Sequence, residues 1–275
     1  MARKTGAENL FEIRGLRLSL PDMGAKPLFG PAPRIQILHG LDFDLPRGQI
    51  TGIVGESGSG KSTLGRCLVR LYRPDAGQII FAGQDIAGLD RQELAPLRRD
   101  LQMIFQDPMS SLNPRHRIGQ ILGGPMRLHA MSRDPEKEVA ALLERVQLPA
   151  DFARRYPHQL SGGQRQRVGI ARALALNPRF ILADEIVSGL DVSTQAQIIA
   201  LLEDLVAEFQ LTMAFISHDL SVIRRLCSQV IVLRAGLIVE QGKTADIFNK
   251  PAHAYTQELK QAIPLPELDR NWLKS

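Results

Sequence analysis

The segment Gly55-Glu56-Ser57-Gly58-Ser59-Gly60-Lys61-Ser62-Thr63 constrains this chain most, because its pattern works only between a buried strand and a helix. Both neighbours are legible. Gln49 to Val54 reads as a buried strand, and Lys61 to Tyr72 as a helix that ends before the turn Pro74-Asp75-Ala76-Gly77. The glycines let backbone N–H groups turn inward around phosphate oxygens, and the helix N-terminus adds a favourable dipole. All nine residues from Gly55 to Thr63 are expected to contact a nucleotide. Lys61 would neutralise its β- and γ-phosphates, and the Ser62 hydroxyl would ligate Mg²⁺.

Phe180 to Ala183 is apolar and ends in Asp184-Glu185, at the strand end where ligands gather in open α/β sheets. Asp184 is expected to hold Mg²⁺ through water, and Glu185 to polarise the attacking water as general base. Between these segments lies Leu160-Ser161-Gly162-Gly163-Gln164, opening a helix predicted over Gln164 to Leu176. One reading makes Ser161 an N-cap and the glycines a tight turn. The other makes the glycine N–H groups and the helix dipole a second anion site. One chain does not easily fold two phosphate sites onto one nucleotide, so the second would serve a nucleotide held by a neighbouring subunit.

Bulk composition narrows the setting. The chain has 275 residues, is 44% hydrophobic and 23% charged, and carries a formal net charge of +5. No block of like charges concentrates that excess, which reads as a solvated surface. Cys67 and Cys227 are far apart and form no Cys-x-x-Cys pair, so cysteine metal ligation is not expected and a reduced cytosolic setting fits. The N-terminus has no apolar run of a signal peptide, and no stretch of 18 apolar residues is present to span a bilayer.

Phe11 to Leu20 alternates like a half-buried strand, Pro21 to Pro33 is a Pro/Gly-rich loop, and Ile35 to Leu45 resumes strand patterning. Strands and helices alternate again from residue 165, which predicts a mostly parallel sheet with helices on both faces and an antiparallel portion on the N-terminal side. The expected division is an ATPase domain over 8–250 and an extension over 251–275. The domain's core would comprise 8–97 and 165–250, with an inserted α-helical subdomain over 98–164.

Together these segments resemble the nucleotide-binding subunit of an ABC transporter, and the likeness covers nearly the whole chain. The resemblance implies an ATP hydrolase using ATP and Mg²⁺, in which two subunits close head to tail. Each would offer Ser161, Gly162, Gly163 and Gln164 to the other's ATP. It also implies that Gln106, in Phe105-Gln106-Asp107-Pro108, touches Mg²⁺ and water. Asp191, in Ser188-Gly189-Leu190-Asp191, would cross the dimer interface while also serving as an N-cap, and His218 would sense the γ-phosphate. Taken alone, Gln106 reads as an exposed loop amide and His218 as a structural histidine.

Phe105 to Arg115 and the tail Pro251-Ala252-His253-Ala254-Tyr255-Thr256, followed by Ala262-Ile263-Pro264, are similar to the peptide/nickel importer branch. The chain resembles the partner type without a C-terminal cysteine cluster. That branch implies a second ABC ATPase subunit (a homologous partner, or a second copy), two permease subunits and, indirectly, an extracytoplasmic solute-binding protein, at the cytoplasmic face of the inner membrane. No nucleic acid is expected. The competing class is a soluble ABC-type ATPase acting on nucleic acid or ribosomes, against which stand the single cassette and the lack of a heptad run. Ile186 stands where many relatives have proline, and Gly189 where alanine is common. No aromatic residue falls where the family stacks adenine; the position is near Ala32, and Phe29 is the candidate substitute.

Overall fold

Strands that largely alternate apolar with polar residues build one sheet, and mostly continuous apolar runs build the core strands of the other. The computed structural model describes residues 9–27, 30–129, 131 and 134–261. Phe29, Ala262-Ile263-Pro264 and the rest of the expected extension to 275 lie outside the described residues.

β1 (Asn9–Pro21), β2 (Arg34–Pro46), β4 (Ala76–Phe81) and β5 (Gln84–Asp85) form an antiparallel sheet in the order β2-β1-β4-β5. β3 (Ile50–Val54), β6 (Leu101–Ile104), β7 (Phe180–Asp184), β8 (Thr212–Ile216), β9 (Gln229–Arg234) and β10 (Leu237–Lys243) form the central sheet in the order β10-β9-β3-β8-β7-β6. Its pairings are parallel except for the β9–β10 hairpin. Both faces of this sheet are covered, so β3, β7 and β8 are buried at every position and are mostly apolar. In β7, Phe180 and Leu182 join the core shared with the antiparallel sheet and α1 (Lys61–Leu68). Ile181 and Ala183, pointing the other way, join the core shared with most of the later helices, while Leu94 of the next helix in the chain joins the first core.

Those helices follow in order: α2 (Arg91–Leu94), α3 (Pro108–Ser111), α4 (Ile118–Leu128), α5 (Pro135–Arg145), α6 (Gly162–Leu174), α7 (Val192–Phe209), α8 (Leu220–Leu226), α9 (Thr244–Asn249) and α10 (Ala254–Gln261). The architecture is the expected α/β fold with an antiparallel portion on the N-terminal side. Two local expectations change. Residues 98–164 were expected to form a mainly helical insertion, and the short strand β6 at its start was not expected; it pairs with β7 from Leu101↔Phe180 to Ile104↔Ala183. Four residues are too few to display a period, and the charged run Arg98-Arg99-Asp100 before them hides the strand. Helix α1 also stops at Leu68 and not at Tyr72. Arg70 is left-handed (φ 52°), and its guanidinium is held by the carbonyls of Ile86, Tyr72 and Leu89 at 2.7, 3.1 and 2.9 Å.

Candidate nucleotide-hydrolysis site

The loop from Gly55 to Gly60 connects β3 to α1 at the C-terminal edge of the central sheet, and Lys61, Ser62 and Thr63 open the helix. Gly55 has φ 150°, and a Cβ there would lie 2.1 Å from the Leu233 carbonyl oxygen, so only glycine fits between β3 and β9. Gly58 and Gly60 are also left-handed, at φ 79° and 102°, and Gly60 caps α1. Lys61, the first helical residue, is buried and folds back over the loop. Its Nζ donates to the carbonyls of Gly55 and Glu56, both at 2.7 Å. Burial lowers the Lys61 ammonium's pKa; Glu185, Asp184 and Glu56 oppose that by their charge.

Asp184 ends β7 beside this helix. Ser62 Oγ donates to its Oδ1 at 2.9 Å, and Arg66 of α1 lies 3.9 Å from its Oδ2. Burial pushes the Asp184 carboxyl up, while the Ser62 hydroxyl and the Arg66 charge pull it down. Glu185 follows in a left-handed conformation (φ 51°), uncommon for a side chain of its size, with its N–H bonded to the Ile216 carbonyl of β8 at 3.0 Å. Two distant residues meet its Oε2. Gln106 Nε2 donates to it at 3.1 Å, and His218 Nδ1 lies 3.9 Å away.

Ser161, Gly162, Gly163 and Gln164 stand at the start of α6. Ser161 caps that helix by accepting from Gln164 N–H at 3.3 Å, and Gln164 Oε1 accepts from Ser161 N–H at 2.9 Å. Asp191 caps α7, accepting from the Thr194 amide at 2.9 Å and the Thr194 hydroxyl at 2.7 Å. The two helix starts touch: a Cβ on Gly163 would come within 2.5 Å of Thr194 Cγ2. Glycine at 163 therefore lets the Ser161 turn pack against the Asp191 cap. Ile186 is buried in the core, and Gly189 is left-handed (φ 76°), a conformation that costs glycine less than alanine.

The chain thus gathers Lys61, Ser62, Asp184, Glu185, Gln106 and His218 around one edge of the sheet, and presents Ser161–Gln164 and Asp191 as a separate pair of helix starts. Residues 38–188 match the ABC transporter family. The chain belongs to that family. This ABC protein also matches the C-terminal region of oligopeptide/dipeptide transporters over residues 239–275. It is 48% identical over 262 residues to a Brucella ovis protein named as a peptide import ATP-binding protein, covering 94% of this chain and 80% of that one. It is 50% identical over 234 residues to the oligopeptide transport ATP-binding protein AppF of Bacillus subtilis, covering 84% and 71% respectively. The ATP-binding cassette MJ0796, solved as a dimer in a post-hydrolysis state with ADP and Pi, superposes with TM-score 0.74 at 32% identity over 85% of this chain and 98% of that one. The ABC protein is accordingly an ATP hydrolase of the transport type. Among the described residues no helix is long and apolar enough to cross a membrane.

Two residues at this site escaped the sequence reading. Arg66 is one helical turn beyond Ser62, a spacing that places it on the same face and near Asp184. Tyr255, in the His-Ala-Tyr-Thr element of the tail, reaches the loop between β3 and α1: Glu56 N–H donates to its hydroxyl at 2.9 Å. The element served in the sequence only to mark the importer branch.

Proposed function

We propose that this ABC protein is the ATP-binding subunit of an importer for peptides or a peptide-like solute, working at the cytoplasmic face of the inner membrane. The observation that carries its chemistry is the meeting of Gln106 and His218 on one oxygen of Glu185, next to Asp184. In this reading Lys61 leaves the loop carbonyls for the β- and γ-phosphates. Glu185 takes a proton from water as general base, Gln106 orients that water, and His218 reads the γ-phosphate. Backbone N–H groups from Gly55 to Thr63 hold the phosphate oxygens.

A Mg²⁺ ion fits the donor set. Asp184 supplies a buried carboxylate, Ser62 a hydroxyl and Gln106 an amide oxygen, all hard oxygen donors. Among the described residues no group of three or more His, Cys, Asp or Glu side chains could hold a metal unaided. That suits an ion whose coordination is completed by phosphate oxygens. The chemistry Mg²⁺ supplies when bound is neutralisation of charge on those oxygens.

Ser161, Gly162, Gly163, Gln164 and Asp191 would face the ATP of a second ABC ATPase subunit, with two permease subunits carrying the solute. An extracytoplasmic solute-binding protein would take part indirectly, and nucleic acid would not. The match over residues 239–275 supports the choice of solute. The test is uptake of labelled di- to pentapeptides by cells lacking this gene. We expect uptake to fall to background and to return with the wild-type gene but not with Lys61→Ala. Normal peptide uptake in the deleted cells would contradict the proposed solute class.

A further inference from the structure

The peptide unit joining Gly55 to Glu56 is gripped at both ends. Its carbonyl accepts from Lys61 Nζ at 2.7 Å, and its N–H donates to Tyr255 Oη at 2.9 Å. The first grip belongs to the loop itself. The second comes from α10, 199 residues away in sequence.

Tyr255 is fixed in place from several directions. It is only 1% exposed. Arg234, the last residue of β9, stacks its guanidinium 4.7 Å from the ring centroid. The start of α10 is tethered to β10, where Glu240 accepts from the Ala252 and His253 amides at 2.8 and 3.2 Å. His253 Nδ1 in turn accepts from the Tyr255 amide at 3.1 Å. Farther along the helix, Leu259 packs in an apolar cluster with Val54, Val230 and Val232. Val54 is the strand residue that leads directly into Gly55. Helix α10 therefore backs both the loop and the strand that feeds it.

We infer that Tyr255 is a positioning residue of the nucleotide site, holding the Gly55–Glu56 peptide in its phosphate-binding orientation through the Glu56 N–H. This rests on the nucleotide-site reading above, in which Lys61 leaves the Gly55 and Glu56 carbonyls to reach the phosphates. Once Lys61 has moved, Tyr255 is the tie that keeps this peptide from rotating. The extension is then part of the ATP site as well as a mark of the importer branch.

Tyr255→Phe removes the hydroxyl while keeping the ring, its burial and the Arg234 contact. Leu259→Ala loosens the same helix without touching that hydroxyl. Both are measured in the full-length chain by thermal unfolding, by fluorescent ATP-analogue binding, and by KM and kcat for ATP. We expect Tyr255→Phe to raise the ATP dissociation constant and KM together by about 3- to 10-fold. Its kcat should stay within about twofold, because the lost bond acts on loop order and not on the reacting oxygens. Leu259→Ala should lower the unfolding midpoint more than Tyr255→Phe does and weaken ATP binding less, because the Glu56–Tyr255 bond is retained. Unchanged ATP affinity in Tyr255→Phe would overturn the inference. So would losses of affinity in both variants that simply follow their unfolding midpoints. Failure of the wild-type chain to bind the analogue would instead remove the nucleotide-site reading beneath it.

Discussion

Replacing Glu185 with Gln is expected to leave ATP binding intact and to cut turnover by about 10²- to 10⁴-fold, the range for loss of a general base. The exchange is close to isosteric. The new amide keeps an oxygen that can accept from Gln106 Nε2, which now donates to Glu185 Oε2 at 3.1 Å. The backbone at this position is left-handed (φ 51°), and glutamine adopts it no less readily than glutamate. What disappears is a group able to take a proton from water. With hydrolysis blocked, the two ATPase subunits stay closed on their nucleotide, so labelled ATP should remain with the protein through gel filtration. Steady-state turnover and retained ATP together check the result. Turnover near that of the wild type would remove Glu185 as the base.

Gly162→Asp should abolish hydrolysis by a different route, with the chain's own fold and its own ATP affinity preserved. A Cβ on Gly162 meets nothing nearer than Leu190 Cδ2 at 3.9 Å, an ordinary contact. The residue is the first of α6, where a carboxylate is favoured by the helix dipole, and the Ser161 cap remains in place. Within one chain the substitution is therefore benign. Across the proposed interface it sets a negative charge against the phosphates of the partner's ATP, and such like-charge juxtaposition costs several kcal/mol. Each 1.4 kcal/mol is a factor of about ten, so turnover should fall by about 10²-fold or more. Gly163 offers a contrast, because any side chain there would collide with Thr194 and damage the fold itself. Analogue binding and turnover, measured on the same Gly162→Asp preparation, separate the two effects. Full turnover in this variant would mean that the start of α6 does not face a nucleotide.

How much could be read from the sequence depended on how local the physics was. The turn from β3 into α1 was legible because strand, glycines, lysine and helix are contiguous, and each glycine answers a nearby backbone demand; Gly55 against Leu233 is the clearest. Asp184 and Glu185 were legible as the end of a buried strand. The caps Ser161 and Asp191 were legible because capping is a matter of three residues. The convergence on Glu185 was not, since Gln106 lies 79 positions away and no spacing rule reports that distance. The resemblance to a family supplied those roles; the residues alone did not. Strand β6 was missed because it is four residues long behind a charged run. Tyr255 was missed because no local pattern spans 199 positions. Its partner is Glu56, and only the packing of α10 behind β3 brings them together.

An ATPase that drives a membrane importer must hold on to its permeases, so what this chain binds in its own membranes decides its role. The tagged chain would be extracted in mild detergent, and everything that co-purifies identified by mass spectrometry. We expect two permease subunits and a second ABC ATPase subunit in fixed ratio to the chain. Recovery with ribosomes or nucleic acid, and without any membrane-spanning subunit, would contradict the importer role and leave only the ATP chemistry standing.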